Sequence, residues 1–199
     1  MRAAYLVTSV TDVVLSACGA RTARRITKPA LMPVLAAQRP PRGAGAAIGL
    51  AGSWAGDVAL LAEGDRPFRA GLGAFLLAHL GYATAFARGG RPRAAHLVPA
   101  AVFTATSAVV FGRLAGPLGR PVRAYAVAIG AMGAAATTVR GPGARRIAAG
   151  AALFITSDAL LGLGRFGVIG RRPELTDAAV MTTYALAQWL IHDGLSARN

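Results

Sequence analysis

The chain has 199 residues, 54% of them hydrophobic, a mean hydropathy of +0.48 and a formal charge of +14 at pH 7. That length fits one domain, and that apolar content excludes an ordinary water-soluble one. The 22 basic residues are spread over every connection instead of one face or tail, which argues against nucleic acid and for lipid phosphates at both surfaces of a membrane.

The first apolar stretch, residues 3–20, reads as a membrane span. Asp12 interrupts it and Arg2 is the only positive charge before it, a poor match to a cleavable leader. Residues 29–37 are too few to cross a ~30 Å hydrocarbon core and predict a tilted, shortened or re-entrant helix. Pro29 suits a first helical position there, and Pro33 should bend or interrupt the helix beyond it. Next come 44–62, with Asp57 as its only charge, and 70–87, with none beyond a possible His79. The spans 94–112, 124–139, 147–164 and 175–191 complete the set, the seventh carrying only Asp158. Connections such as "RGGRPR" and "RGPGARR" fence them.

The expectation is therefore an all-α integral membrane protein, a single domain over 1–199. It is a bundle of eight transmembrane helices with a short, Pro-containing second one, multi-pass in a bacterial plasma membrane. Small-residue pairs, Gly45 with Gly49 and Gly130 with Gly133, are packing features that let helices approach in lipid. The lone Cys18 excludes an internal disulfide. Ten Lys and Arg fall on the amino-terminal side and twelve on the other, which gives no orientation, and nothing sets an oligomeric state.

Acidic residues inside spans cost at least ~2.5 kcal/mol each and need a partner or a task. Asp57 and Asp158 lie six and seven residues before the ends of their helices, about 9 to 10 Å deep at ~1.5 Å per residue. With eight crossings, the third and seventh spans run the same way, so the two carboxylates share a depth and a side. Lys28, the only lysine, falls on that side too if the second segment crosses, and on the opposite one if it is re-entrant. A compact ammonium differs from a guanidinium, and Lys28 reads either as an interfacial cation or as a point charge for a substrate phosphate. His79 with Tyr82, and Tyr184 with Gln188, form polar stripes on the fourth and last spans, suited to helix packing or to substrate. Asp12 and Asp177 read as packing or interfacial groups. The competing structural reading pairs Asp57 and Asp158 with arginines such as Arg66 or Arg165.

Other chemistries fit less well. His79, His96 and His192 lack zinc-ligand spacing, and no Gly-x-Ser-x-Gly elbow is present. An intramembrane aspartyl protease would want Gly-x-Gly-Asp where this chain has Trp54-Ala55-Gly56-Asp57, and its "PAL" would come after the aspartates. A small proton- or cation-coupled transporter using the buried aspartates is the non-enzyme alternative.

"TKPALMPVLAA", "GSWAGDVALL", "FLLAHLGYATAFA", "GAALFITSDALLGLGRF" and "TYALAQWLI", in this order over nearly the whole chain, resemble the YhhN-like lysoplasmalogenase family of polytopic membrane hydrolases. The resemblance implies eight transmembrane helices and cleavage of the vinyl ether bond of lysoplasmalogens, drawn from the bilayer, to a fatty aldehyde and a glycerophospho-headgroup. The family's Lys-Pro, Gly-Asp and Ser-Asp motifs map onto Lys28-Pro29, Gly56-Asp57 and Ser157-Asp158. Thr183-Tyr184 departs from a paired tyrosine, which leaves substrate choice open. On this reading Asp57 and Asp158 are catalytic, as one protonated and one ionised carboxyl. Lys28, His79, Tyr82, Tyr184 and Gln188 bind substrate, and no metal or soluble cofactor is required.

Overall fold

The computed structural model describes residues 3–88, 90 and 94–198, the side chains of 94–96 excepted. Among the described residues eight helices occur in order: α1 (Ala3–Ala17), α2 (Arg21–Gln38), α3 (Ala44–Ala59), α4 (Asp65–Ala87), α5 (Ala94–Leu114), α6 (Gly119–Thr138), α7 (Ala144–Arg165) and α8 (Pro173–Ser196). A single 3₁₀ turn, Gly116–Leu118, joins α5 to α6. The starts are written in the sequence: Pro173 and Glu174 open α8, and Asp65 sits in the first turn of α4, where a negative charge favours the helix dipole.

Ion pairs at the helix ends fix the topology. At one end Arg21 pairs with Glu63, Arg24 lies 3.8 Å from Asp177, and Arg165 lies 2.5 Å from Asp65. At the other end Asp193 takes Arg39 at 2.5 Å and Arg146 at 2.8 Å. Successive helices therefore run antiparallel. Their packing closes a ring, α1 to α2, α3, α4, α6, α7, α8 and back to α1, with α5 laid on the outside of α6. Phe75, Tyr82, Met132, Phe154 and Tyr184 fill the interior of the ring.

The second segment departs from expectation. It is an 18-residue helix that begins eight residues before Pro29 and runs from one end of the bundle to the other, with both prolines inside it. Lys28 is consequently within the helix, not at its start. Pro33 has no N–H to give the Pro29 carbonyl, which would break a helix in apolar surroundings. Trp54 of α3 donates its indole N–H to that carbonyl at 3.1 Å, so the freed acceptor is satisfied from the neighbouring helix.

Among the described residues, length and hydropathy are sufficient for membrane crossing in three helices, α4, α7 and residues 97–114 of α5, while α1 is apolar but shorter. This is fewer than the eight expected from apolar blocks, because several of those blocks are capped early: α3, for instance, ends at Ala59, and α2 carries Arg21, Arg24, Arg25 and Lys28. The outer faces carry exposed apolar residues, among them Val7, Val10, Ile48, Leu77, Val102 and Val109.

Glycine decides the closest approach. A Cβ at Gly45 would stand 2.7 Å from the Gly81 carbonyl, and one at Gly49 would run into the Tyr82 ring, so α3 and α4 meet backbone to backbone. Gly130 likewise makes room for Thr104 and Gly133 for Ile155. Gly143, with φ +79°, starts α7 against the Gly194 carbonyl, a conformation and a contact that both exclude a side chain.

Candidate functional site

The interior polar groups form two sets around one ring. Phe154 is fully buried and its ring centroid lies 4.7 Å from that of His79, 5.4 Å from Tyr184 and 6.2 Å from Phe75. On the α2–α3–α8 side, Tyr184 donates to Asp57 Oδ2 at 2.6 Å, and Lys28 Nζ lies 3.8 Å from Asp57 Oδ1. Asp57 is 1% exposed, so its charge is offset by an ammonium that is itself nearly enclosed. One helical turn away, Gln188 donates to Ser53 Oγ at 2.8 Å and accepts from the Tyr82 hydroxyl at 2.6 Å. His192 Nε2 lies 3.1 Å from the same hydroxyl.

On the α4–α6–α7 side, the Tyr125 hydroxyl donates to Asp158 Oδ2. His79 Nε2 lies 3.2 Å from that oxygen and 2.8 Å from the Tyr125 hydroxyl, with Nδ1 3.3 Å from Met132 Sδ. Asp158 therefore faces a phenol and an imidazole. Arg165, the arginine that the structural reading offered Asp158, pairs with Asp65 instead.

The two carboxylates differ in access. Asp158, Tyr125 and Ser107 lie on the wall of an otherwise apolar cleft of about 740 Å³, counted to its open mouth, between α4, α5, α6 and α7. Phe75 lines the same cleft and packs edge-on against Tyr184 at 5.9 Å, which places Asp57 one aromatic layer behind it. Lys28, His79, Tyr82, Tyr184 and Gln188 do not line this cleft. Tyr82 and Gln188 are fully buried and bonded to each other.

Asp12, at the α1–α2 contact, is fully buried and accepts from Thr27 Oγ1 at 2.6 Å and from Arg24 Nε at 3.4 Å. Asp177 is half exposed beside the same arginine. Among the described residues no three His, Cys, Asp or Glu side chains gather as a metal-ligand set, and the His96 side chain lies outside them.

Sequence reasoning passed over Tyr125 and Ser53, and weighed His192 only as a zinc ligand. A weak signal existed for each. Ser53 precedes Asp57 by four and so shares its helix face, and His192 comes four after Gln188 and extends the stripe of the last span. Tyr125 is the only tyrosine of its span, and all four tyrosines of the chain turn out to place their hydroxyls on interior partners.

An all-helical bundle with apolar flanks, three membrane-length helices and carboxylates enclosed among aromatic rings defines a membrane-associated helical protein. More particularly, the chain belongs to the YhhN family, whose family model matches residues 23–195. No curated protein and no solved structure matches it.

Proposed function

We propose that this protein is a membrane hydrolase that crosses the bilayer with all eight helices and cleaves the vinyl ether bond of lysoplasmalogens through Asp57 and Asp158. The observation that carries the reading is Asp158, a hydrogen-bonded carboxyl on the wall of an apolar cleft. Membership of the YhhN family supports the hydrolase class.

The chemistry asks for a proton at the β-carbon, which leaves an oxocarbenium ion at the α-carbon. Water adds there and loses a proton, and the hemiacetal collapses to a fatty aldehyde and the glycerol hydroxyl of the headgroup fragment. Asp158 is the carboxyl that can meet the alkene, so it is assigned the proton delivery. Tyr125 and His79 hold it in place, and His79 offers a route by which the proton is replaced. Asp57, with Lys28 as counter-charge, is assigned the ionised role behind Phe75, stabilising the cation, while the Asp158 carboxylate left by proton delivery takes the proton of the added water. The division of labour is that of a glycosidase carboxyl pair around a similar cation.

The structure gives Lys28 a carboxylate partner, so its part in this scheme is to balance Asp57 before it is to bind phosphate. The test is aldehyde release from alkenyl, alkyl and acyl lysophospholipids by the purified protein. Alkenyl-selective release that Asp158→Asn and Asp57→Asn each abolish, in folded protein, supports the scheme. Well-folded protein that releases no aldehyde overturns it, and the aspartates are then to be tested as ion-coupling sites.

A further inference from the structure

A second pocket adjoins the Asp158 cleft along α5, α6 and α7, about 510 Å³ when counted to its open mouth, and the two share Phe103 and Ile155 as a common waist. The walls run along single helix faces: Asp158, Ile155, Ala152 and Ala148 fall at helical spacing on α7, as do Phe103 and Ala100 on α5. Beyond the waist the lining is almost wholly alanine and glycine, with Thr137 as its polar exception.

We infer that the two cavities form one channel for the hydrocarbon chain of a single-chain lipid, with the Phe103–Ile155 waist and the small residues beyond it setting chain length. This rests on the hydrolase reading for the position of the reacting bond. From the level of Tyr125 to that of Thr137 on α6 is roughly 18 Å at ~1.5 Å per residue, against ~15 Å for the hydrocarbon of one leaflet. A long chain held by its first carbons at Asp158 thus has to pass the waist. The opposite mouth of the first cavity lies at the charged end of the bundle, where Arg165 stands over the Phe68 ring at 5.2 Å, so the polar end of the lipid points that way. On the outer side α5 packs on α6 and turns Val98, Val102 and Val109 outward, and Phe103 at the waist is itself 49% exposed, so the channel opens toward the surrounding lipid beside α5.

The experiment measures binding separately from cleavage. Octyl and hexadecyl ether lysophosphocholines, which carry no vinyl bond, compete with a fluorescent alkyl probe on the purified wild-type protein, Ala152→Phe and Phe103→Ala. Ala101→Phe, on α5 but outside both cavities, serves as the control. A ring at position 152 fills the second cavity and is expected to lower the hexadecyl-to-octyl affinity ratio about tenfold, because only the longer chain loses buried methylenes. Phe103→Ala, which widens the waist, is expected to raise that ratio and decides the matter if Ala152→Phe does not fold. A ratio that stays at the wild-type value overturns the channel. Failure of the hydrolase reading looks different: the chain-length effects appear, and no alkenyl lysolipid yields aldehyde.

Discussion

The Tyr125 hydroxyl on α6 donates a hydrogen bond to Asp158 on α7, and the His79 imidazole from α4 sits against both. Three helices thus converge on one carboxyl at the wall of an apolar cleft. If Asp158 handles the proton, Tyr125→Phe should lower kcat by about ten- to a hundredfold, the range of a positioned acid–base partner, with KM little changed. A kcat that falls with a matching loss of thermal stability would instead make Tyr125 a structural tyrosine. An unchanged kcat would remove it from the chemistry.

Lys28 and Asp57 make the sharpest stability prediction. Their side chains are 12% and 2% exposed, so removing one charge strands the other in an enclosed site. Lys28→Met is expected to cost roughly 3 to 5 kcal/mol, and the double change Lys28→Met with Asp57→Asn to cost much less than the sum. Denaturation of the four proteins of this cycle in detergent measures the coupling. Additive losses would mean that the 3.8 Å pair carries no coupling.

Periodicity and charge govern how much of the fold is legible in the sequence. Eight helical blocks, the buried aspartates and the small-residue contacts are local signals. The length of α2 is not, because two prolines in apolar surroundings argue against a helix unless a distant donor satisfies the freed carbonyl. Trp54 is that donor, and nothing in its spacing from Pro29 announces it. The separation of the carboxylates into two sets is equally tertiary. Equal depth on parallel helices places Asp57 and Asp158 at one level, but which neighbours each faces depends on the order of helices around the ring. That order also explains why His79 and Tyr82, three apart on one helix, serve different sets: His79 turns to α6 and α7, and Tyr82 to α8.

The α3–α4 contact predicts a difference between two glycines of similar exchange. Gly45→Ala adds a Cβ that would stand 2.7 Å from the Gly81 carbonyl, so the two helices have to separate. The expected cost is about 1 to 3 kcal/mol, the range for an overpacked interior. Gly73→Ala on α4 meets nothing within 4 Å and should be neutral or slightly stabilising, since alanine is the better helix former. Melting of the two variants side by side checks this, and equal behaviour would mean that the close approach of α3 and α4 carries no stability.

Gln188 separates a packing role from a substrate role. Its amide joins Ser53 to Tyr82, and it is fully buried outside the cleft. Gln188→Leu leaves the Ser53 hydroxyl its helical carbonyl at 2.8 Å and leaves Tyr82 its contact with His192, so each former partner keeps a bond. The loss should then be that of ordinary buried hydrogen bonds, about 1 to 2 kcal/mol for the pair. Aldehyde release per folded molecule should stay within about twofold of wild type, since a group that never meets substrate cannot stabilise its transition state. A large rise in KM at unchanged stability would give the opposite result, placing Gln188 against the lipid and requiring the α8 stripe to open onto the cleft during turnover.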